Sequence, residues 1–120
     1  MADNPILNPQ AIQALRELSP EGGDEFLREL ITIFLADTPK QFAELEGALA
    51  SQDAAKVTRA AHTIKGSSGN FGAAEFARLA YGIEMHGKAN ELASATVALP
   101  GLKAEYARVA EALNKLAGGT

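Results

Sequence analysis

The chain has 120 residues, no cysteine and a formal charge of −4. This length predicts one domain with a self-sufficient core, and the lack of cysteine excludes disulfides, thiolate catalysis and cysteine-based zinc sites. The negative charge disfavours binding to nucleic acid, and no apolar run approaches the roughly 18 residues of a membrane span. The N-terminus also lacks the features of a signal peptide. We therefore expect a cytoplasmic monomer with neither nucleic acid nor membrane among its partners.

The N-terminal segment predicts a short helix. Residues 1–7 are expected to form a loose lead-in, and Asn8 followed by Pro9 is typical of a capped helix start. The apolar positions of this helix are Ile12, Leu15 and Leu18. The sequence Ser-Pro-Glu-Gly-Gly at 19–23 is expected to end it.

The second predicted helix contains a proline. Asp24 is its expected cap, and its apolar stripe comprises Leu27, Leu30, Ile31, Phe34, Leu35, Phe42, Leu45 and Leu49. Pro39 lies in the middle of this stripe. Because proline removes an amide donor and disfavours helical geometry before it, we expect one long bent helix or two nearly collinear ones.

Two further helices are predicted in the middle of the chain. Residues 51–53 form a turn whose Asp53 caps a third helix over about 53–70, and Gly72 is free to take the positive φ that ends it. A fourth helix follows, with a core stripe of Phe76, Leu79, Ala80 and Ile83, and ends near Gly87 and Lys88.

The C-terminal part predicts a connection and a last helix. Residues 89–99 are weakly patterned and are expected to form a connection, either irregular or in part helical. Pro100 is expected to open the final helix. The packing seam of that helix is Leu102, Tyr106, Val109, Leu113 and Leu116, and Gly118-Gly119 should end it. Strand alternation never persists. We therefore predict an all-α fold, an up-down four-helix bundle with a short extra N-terminal helix, as a single domain over 1–120.

The third helix carries an unusual outer face. At about 100° per residue, its buried stripe would be Val57, Ala60, Ala61, Ile64, Ser68 and Phe71. His62 falls about 160° from Ile64, on the face that also carries Ala55, Gly66 and Gly69. Helical glycine costs roughly 0.8–1.0 kcal/mol relative to alanine, so helix stability does not explain the two glycines. The small side chains of this face form a clearing around His62, which indicates room for another protein's surface. An exposed imidazole is largely neutral near pH 7 and is then a nucleophile. Lys65, one turn on, would favour an anionic adduct such as a phosphoryl group.

Residues 61–68 (Ala-His-Thr-Ile-Lys-Gly-Ser-Ser) and 70–73 (Asn-Phe-Gly-Ala) resemble the signature of histidine-containing phosphotransfer (HPt) domains. The resemblance implies a helical bundle whose exposed histidine exchanges a phosphoryl group with aspartates of response-regulator receiver domains. It implies that His62 is the phosphoacceptor, Lys65 steadies the phosphate and Gly66 leaves room for the receiver. Glu84, 22 residues after His62, matches a position that is Gln or Glu in many members. A glutamate there can accept a bond from the imidazole N–H but would repel a phosphoryl oxygen. Glu84 is also expected to lie at the boundary between core and surface, where its reach to His62 depends on how the two helices pack.

The resemblance also implies the partners, namely receiver domains and a hybrid sensor histidine kinase. The sequence shows no acid cluster for a metal and no nucleotide loop, so we expect no cofactor and no kinase activity of its own. Mg²⁺ is expected on the receiver. For metal binding, neither His62 nor His86 has a second His or Cys at helical spacing, so no metal site is predicted.

Several residues keep a second interpretation. Ala55, Gly66 and Gly69 are candidates for access by a partner. Thr58 and Arg59 are docking candidates that are equally compatible with simple exposure to water. Lys65 has an alternative as an ordinary solvated lysine. Other residues are assigned no chemistry: Ser67 and Ser68 are interpreted as small packing residues, and Tyr81 and Met85 lie off the main stripe, either under the N-terminal helix or in a docking patch.

Two other functions remain open from sequence. One is a helical interaction module that binds without chemistry. The other is the phosphoacceptor domain of a chemotaxis-type histidine kinase, in which a kinase core is the donor.

Overall fold

The structure, a computed structural model, describes residues 6–19 and 24–118. All regular structure in these two ranges is helical. The helices are α1 (Pro9–Glu17), α2 (Glu25–Ala50), α3 (Ala54–Ser68), α4 (Ala74–Lys88) and α5 (Leu92–Gly118), with a 3-10 turn over Gly69–Phe71 after α3. Helices α2, α3, α4 and α5 are linked by short connections and form an up-down four-helix bundle. Helix α1 packs against α2 and the 3-10 turn. The predicted all-α bundle is confirmed. None of the helices in these ranges is both long and apolar enough to cross a bilayer.

The start of α1 has the predicted cap. The Asn8 side chain accepts hydrogen bonds from the backbone N–H groups of Gln10 and Ala11, at 2.8 and 3.4 Å. Before it, Ile6 and Leu7 pack against the core. Residues 1–5 of the predicted lead-in, residues 20–23 of the predicted break and residue 119 of the predicted end lie outside the described ranges.

The start of α2 differs from the sequence-based expectation. Asp24 occupies the N-cap position, but its side chain makes no capping hydrogen bond. Its carboxylate pairs instead with Arg16 Nε at 3.0 Å. The hydroxyl of Ser19 accepts from the Phe26 N–H at 3.2 Å and so satisfies one of the free donors of the first turn.

The two mid-helix prolines do not interrupt their helices. Of the two alternatives for α2, one long helix is correct, because it continues through Pro39. The predicted start of α5 at Pro100 was wrong: the helix begins at Leu92, so residues 92–99 belong to it and Pro100 lies inside it. Both prolines are solvent-exposed, and buried side chains anchor the helix on each side, such as Ala95 before and Leu102 after Pro100. Tertiary packing therefore outweighs the local cost of proline.

An aromatic cluster fixes the end of α3. Phe71 meets Phe34 of α2 edge-on, with ring centroids 5.4 Å apart, and Phe34 also contacts Phe76 of α4 and Tyr106 of α5. Next to it, Gly72 takes a φ of 64° in the left-handed region, as predicted. An added Cβ there would overlap Asn8, whose N–H donates to the Phe71 carbonyl at 3.1 Å. The turn after α3 is thus held from several sides, which fixes the position of the histidine helix.

Candidate functional site

Helix α3 presents His62 to solvent. The Asp53 side chain caps its start by accepting from the Lys56 N–H at 3.1 Å. The predicted stripe is buried as expected: Val57, Ala60, Ala61, Ile64, Ser68 and Phe71. On the opposite face, the His62 side chain is 64% exposed.

A clearing surrounds His62 on this face. Ala55, Gly66 and Gly69 are all exposed beside it. A Cβ built on Gly66 or Gly69 would meet no atom within 4 Å among the described residues. Internal packing therefore does not require glycine at either position, and the space above the imidazole is open.

The buried carboxylate of Glu84 holds the imidazole from below. Glu84 lies on α4 with its side chain only 5% exposed, and its Oε2 is 3.0 Å from His62 Nδ1. Because a carboxylate can only accept, this bond assigns the proton of a neutral imidazole to Nδ1. The lone pair is then on Nε2, on the side of the ring away from Glu84.

Two lysines converge on the same carboxylate. Lys65 Nζ is 3.1 Å from Oε1, at an angle outside hydrogen-bond geometry, and also lies 4.9 Å from the centre of the Tyr81 ring. Lys88 Nζ, one turn beyond Glu84, is 3.8 Å from Oε2. Lys65 is therefore directed at Glu84 rather than standing free beside His62.

The electrostatics keep Glu84 ionised. Burial raises the pKa of its carboxyl, but the contacts and positive charges of Lys65 and His62 outweigh this effect, so the net pKa is lowered. A permanent negative charge thus lies under the imidazole at neutral pH. It stabilises any positive charge that the ring acquires.

A close approach of α3 and α4 brings Glu84 to His62. A Cβ on Gly87 would lie 2.5 Å from Thr58 Oγ1 and 3.0 Å from Thr58 N, so only glycine fits there. Thr58 is half-buried in this contact and its hydroxyl donates to the Ala54 carbonyl at 2.9 Å. The structure therefore places Thr58 in the helix contact rather than among the exposed docking candidates.

Sequence analysis missed the roles of Gly87 and Lys88, although Lys88 has the i+4 spacing of an ion pair with Glu84.

The remaining candidates surround this core of the site. Arg59 is exposed on the flank of α3 that faces α2. Tyr81 and Met85 are exposed on α4, and Tyr81 lies next to Lys65. His86 is turned toward Glu91, with Nδ1 3.3 Å from Oε1. The hydroxyls of Ser67 and Ser68 donate to backbone carbonyls of their own helix, as suits packing residues.

Comparison with known proteins identifies the class. The Hpt domain family matches residues 29–112, which run from the first turns of α2 into α5. The chain therefore belongs to the Hpt domain family, whose members are phosphotransfer carriers of phosphorelays. The fold is similar to the crystal structure of histidine-containing phosphotransfer protein B (HptB) from Pseudomonas aeruginosa PAO1. The TM-score is 0.88 at 25% identity, over 98% of this chain and 99% of that chain. No match was found among curated proteins.

Proposed function

We propose that His62 is the phosphoacceptor of this Hpt domain and that Nε2 is the reacting atom. It would accept a phosphoryl group from a receiver-domain aspartate, or from a kinase, and pass it to the aspartate of a response-regulator receiver. The observation that carries this proposal is the 3.0 Å contact between His62 Nδ1 and the buried Glu84. That contact leaves the nucleophilic lone pair on the exposed side of the ring.

The proposed step is a direct displacement. The Nε2 lone pair attacks the phosphorus of an aspartyl phosphate, the N–P bond forms, and the P–O bond to the aspartate breaks to release a carboxylate. The proton on Nδ1 stays there, so the phosphorylated ring becomes cationic and is stabilised by the Glu84 carboxylate. Reversal of the same step transfers the group to the next receiver.

The proposed role of Lys65 depends on a change of partner. Its ammonium now contacts Glu84 Oε1 at 3.1 Å. A phosphoryl group on Nε2 would offer a stronger, multiply charged acceptor within the same turn of helix, so Lys65 would turn toward it. Lys88, already 3.8 Å from Oε2, would remain to balance the charge of Glu84.

The partner would supply the rest of the chemistry. We propose that the acidic pocket and the Mg²⁺ belong to the receiver and that this domain contributes the nucleophile, the lysine and open access. A hybrid sensor histidine kinase in the cytoplasm is the proposed upstream source. On this proposal ATP alone does not label the protein.

Substitution of the histidine tests the proposal. We expect His62→Gln to abolish transfer from a phosphorylated receiver, because the nitrogen lone pair of the glutamine amide is delocalised into the carbonyl and is not nucleophilic. His86→Gln is the matched control, since it removes the other histidine of the chain and should transfer normally. The measurement is the appearance of acid-labile label on this protein after mixing.

The same experiment separates the alternatives. Equal labelling of wild type and His62→Gln would refute the role of His62. An interaction module without chemistry would keep partner affinity and signalling output in His62→Gln. Transfer from a kinase core but from no receiver would indicate the phosphoacceptor domain of a chemotaxis-type kinase.

A further inference from the structure

A groove runs beside the clearing, on the flank of α3 opposite Glu84. It lies between α2 and α3, has a volume of about 460 Å³, and is lined in part by Arg59 and Thr63. These two residues are the third before and the first after His62. The groove is therefore continuous with the face that a phosphoryl-carrying partner must cover.

The α2 wall of the groove contains a glycine that packing does not explain. Gly47 is exposed in the interior of α2, and a Cβ on it would meet no atom within 4 Å among the described residues. Glycine in a helix interior is destabilising relative to alanine. A larger side chain at Gly47 would stand in the groove and narrow it. The feature matches Gly66 and Gly69, which keep the clearing open beside His62.

The α3 wall of the groove is positively charged. Lys56 and Arg59 line it, and helix α3 contains no acidic residue, although the whole chain has a charge of −4. Within the described ranges, Lys56 and Arg59 take part in no ion pair. Glu44 on the α2 wall is the acidic residue that lines the groove, and it disfavours a second acid on that side. The arrangement favours a single acidic side chain placed against α3.

We propose that this groove is a specificity subsite that receives an acidic side chain from the surface of the partner receiver. Arg59 and Lys56 pair with that carboxylate while the receiver's phosphoaspartate faces His62. The groove selects among receivers by affinity and on-rate, because the contact forms before the chemical step and takes no part in it. This inference rests on the proposed function of His62.

Filling the groove tests the inference. We expect Gly47→Leu to raise the KM for a phosphorylated receiver at least about 10-fold with a small change in kcat, which corresponds to a loss of about 1.4 kcal/mol of binding free energy. Gly101→Leu is the matched control: Gly101 is also an exposed helix glycine with open space around it, but on α5. It should leave the KM unchanged. Labelling of His62 by phosphoramidate, a small donor that needs no docking, gives the reference reactivity of each variant.

Charge reversal supplies the second arm. Arg59→Glu should slow transfer from the same receiver by at least about 10-fold relative to labelling by phosphoramidate, whereas Arg59→Lys should retain most of the rate. Gly47→Leu with a wild-type KM, or Arg59→Glu with undiminished transfer, would overturn the subsite. A wild-type protein that phosphoramidate does not label at His62 would instead overturn the proposed function, so the two failures are distinguishable.

Discussion

Glu84 both orients the His62 ring and supplies a negative charge beneath it, whereas a neutral side chain could only orient the ring. A glutamine carbonyl can also accept the bond from His62 Nδ1, but it carries no charge and cannot attract Lys65 and Lys88. With glutamate, the site holds a buried negative charge whose ion-pair partners in the described part of the chain are Lys65, Lys88 and, when protonated, His62. The imidazole is thus oriented by a hydrogen bond and prepared for a positive charge by the same residue.

This arrangement predicts acid sensitivity. Burial raises the pKa of Glu84, but the contacts with Lys65 and His62 lower it by more than burial raises it. The pKa of Glu84 in the folded protein therefore lies below its value in the unfolded chain. The stabilisation is therefore present above the ordinary glutamate pKa of about 4.3 and is lost as the pH falls through the folded pKa. We expect the free energy of unfolding to fall less between pH 5 and pH 3 in Glu84→Gln than in wild type, as measured by urea denaturation at several pH values.

A surface carboxylate provides the control for that series. Glu111 is exposed, and its contact with Lys115 is 4.0 Å long. Glu111→Gln should therefore show the acid dependence of the wild type. If Glu84→Gln and Glu111→Gln lose stability in parallel on acidification, the proposed coupling between Glu84 and its cations is wrong.

For the individual residues of the site, the sequence predicted which side chains are exposed but not which residues they contact. The outward direction of His62 follows from helical period, and the motif supplies the predicted roles of Lys65 and Gly66. The 22-residue spacing pointed to Glu84. Its burial and its contact with Lys65 could not be predicted, because they depend on the distance between α3 and α4, which the period of either helix alone does not fix.

The contact between α3 and α4 depends on Gly87, which has no side chain. Gly87 lies against the backbone and hydroxyl of Thr58, one turn before His62. A methyl group there would push the two helices apart at the level of Glu84. The hydrogen bond to His62 would lengthen as a result.

We expect Gly87→Ala to destabilise the protein by about 1–3 kcal/mol, the usual cost of overpacking, and to slow transfer. Gly82→Ala on the same helix is the matched control, because a Cβ there meets nothing within 4 Å. It should be neutral or stabilising by up to about 1 kcal/mol. Urea unfolding of both variants measures the difference, and equal stabilities would show that α3 and α4 can separate without cost.

The limits of sequence at the element scale are clearest at the prolines. Local rules place a helix boundary at Pro100, yet α5 begins at Leu92. Ala95 is fully buried and Leu92, Ala98 and Leu99 pack against the core, so the first two turns of α5 are held by tertiary contacts. The apolar pattern of residues 89–99 is too weak to reveal these contacts. The stronger patterns of α2 and α3 were sufficient to predict those helices.

The charge of the whole molecule is unevenly distributed. Helix α3 carries three cations and no acid, whereas the chain as a whole has a charge of −4. The helix that carries His62 is thus positive on a negative protein. Such an asymmetry orients an acidic partner before contact and is weakened by salt.

We therefore expect kcat/KM for transfer from a phosphorylated receiver to fall several-fold between about 0.05 and 0.5 M NaCl, as for electrostatically steered association. Lys56→Gln should flatten this dependence. Lys115→Gln, which removes a cation from the far end of α5, should not. A rate independent of salt in the wild type would show that the charge of α3 does not steer the partner.

The empty space over Gly66 and Gly69 has a practical consequence for protein engineering. Alanine fits at both positions without a clash. It stabilises a helix relative to glycine, chiefly because the unfolded chain then has less conformational entropy to lose on folding, so a screen for heat tolerance would select it. Each such change would raise the melting temperature by a few degrees. On the proposed function, the same methyl groups would stand where the receiver docks over His62, so the most thermostable variants would transfer the phosphoryl group most slowly.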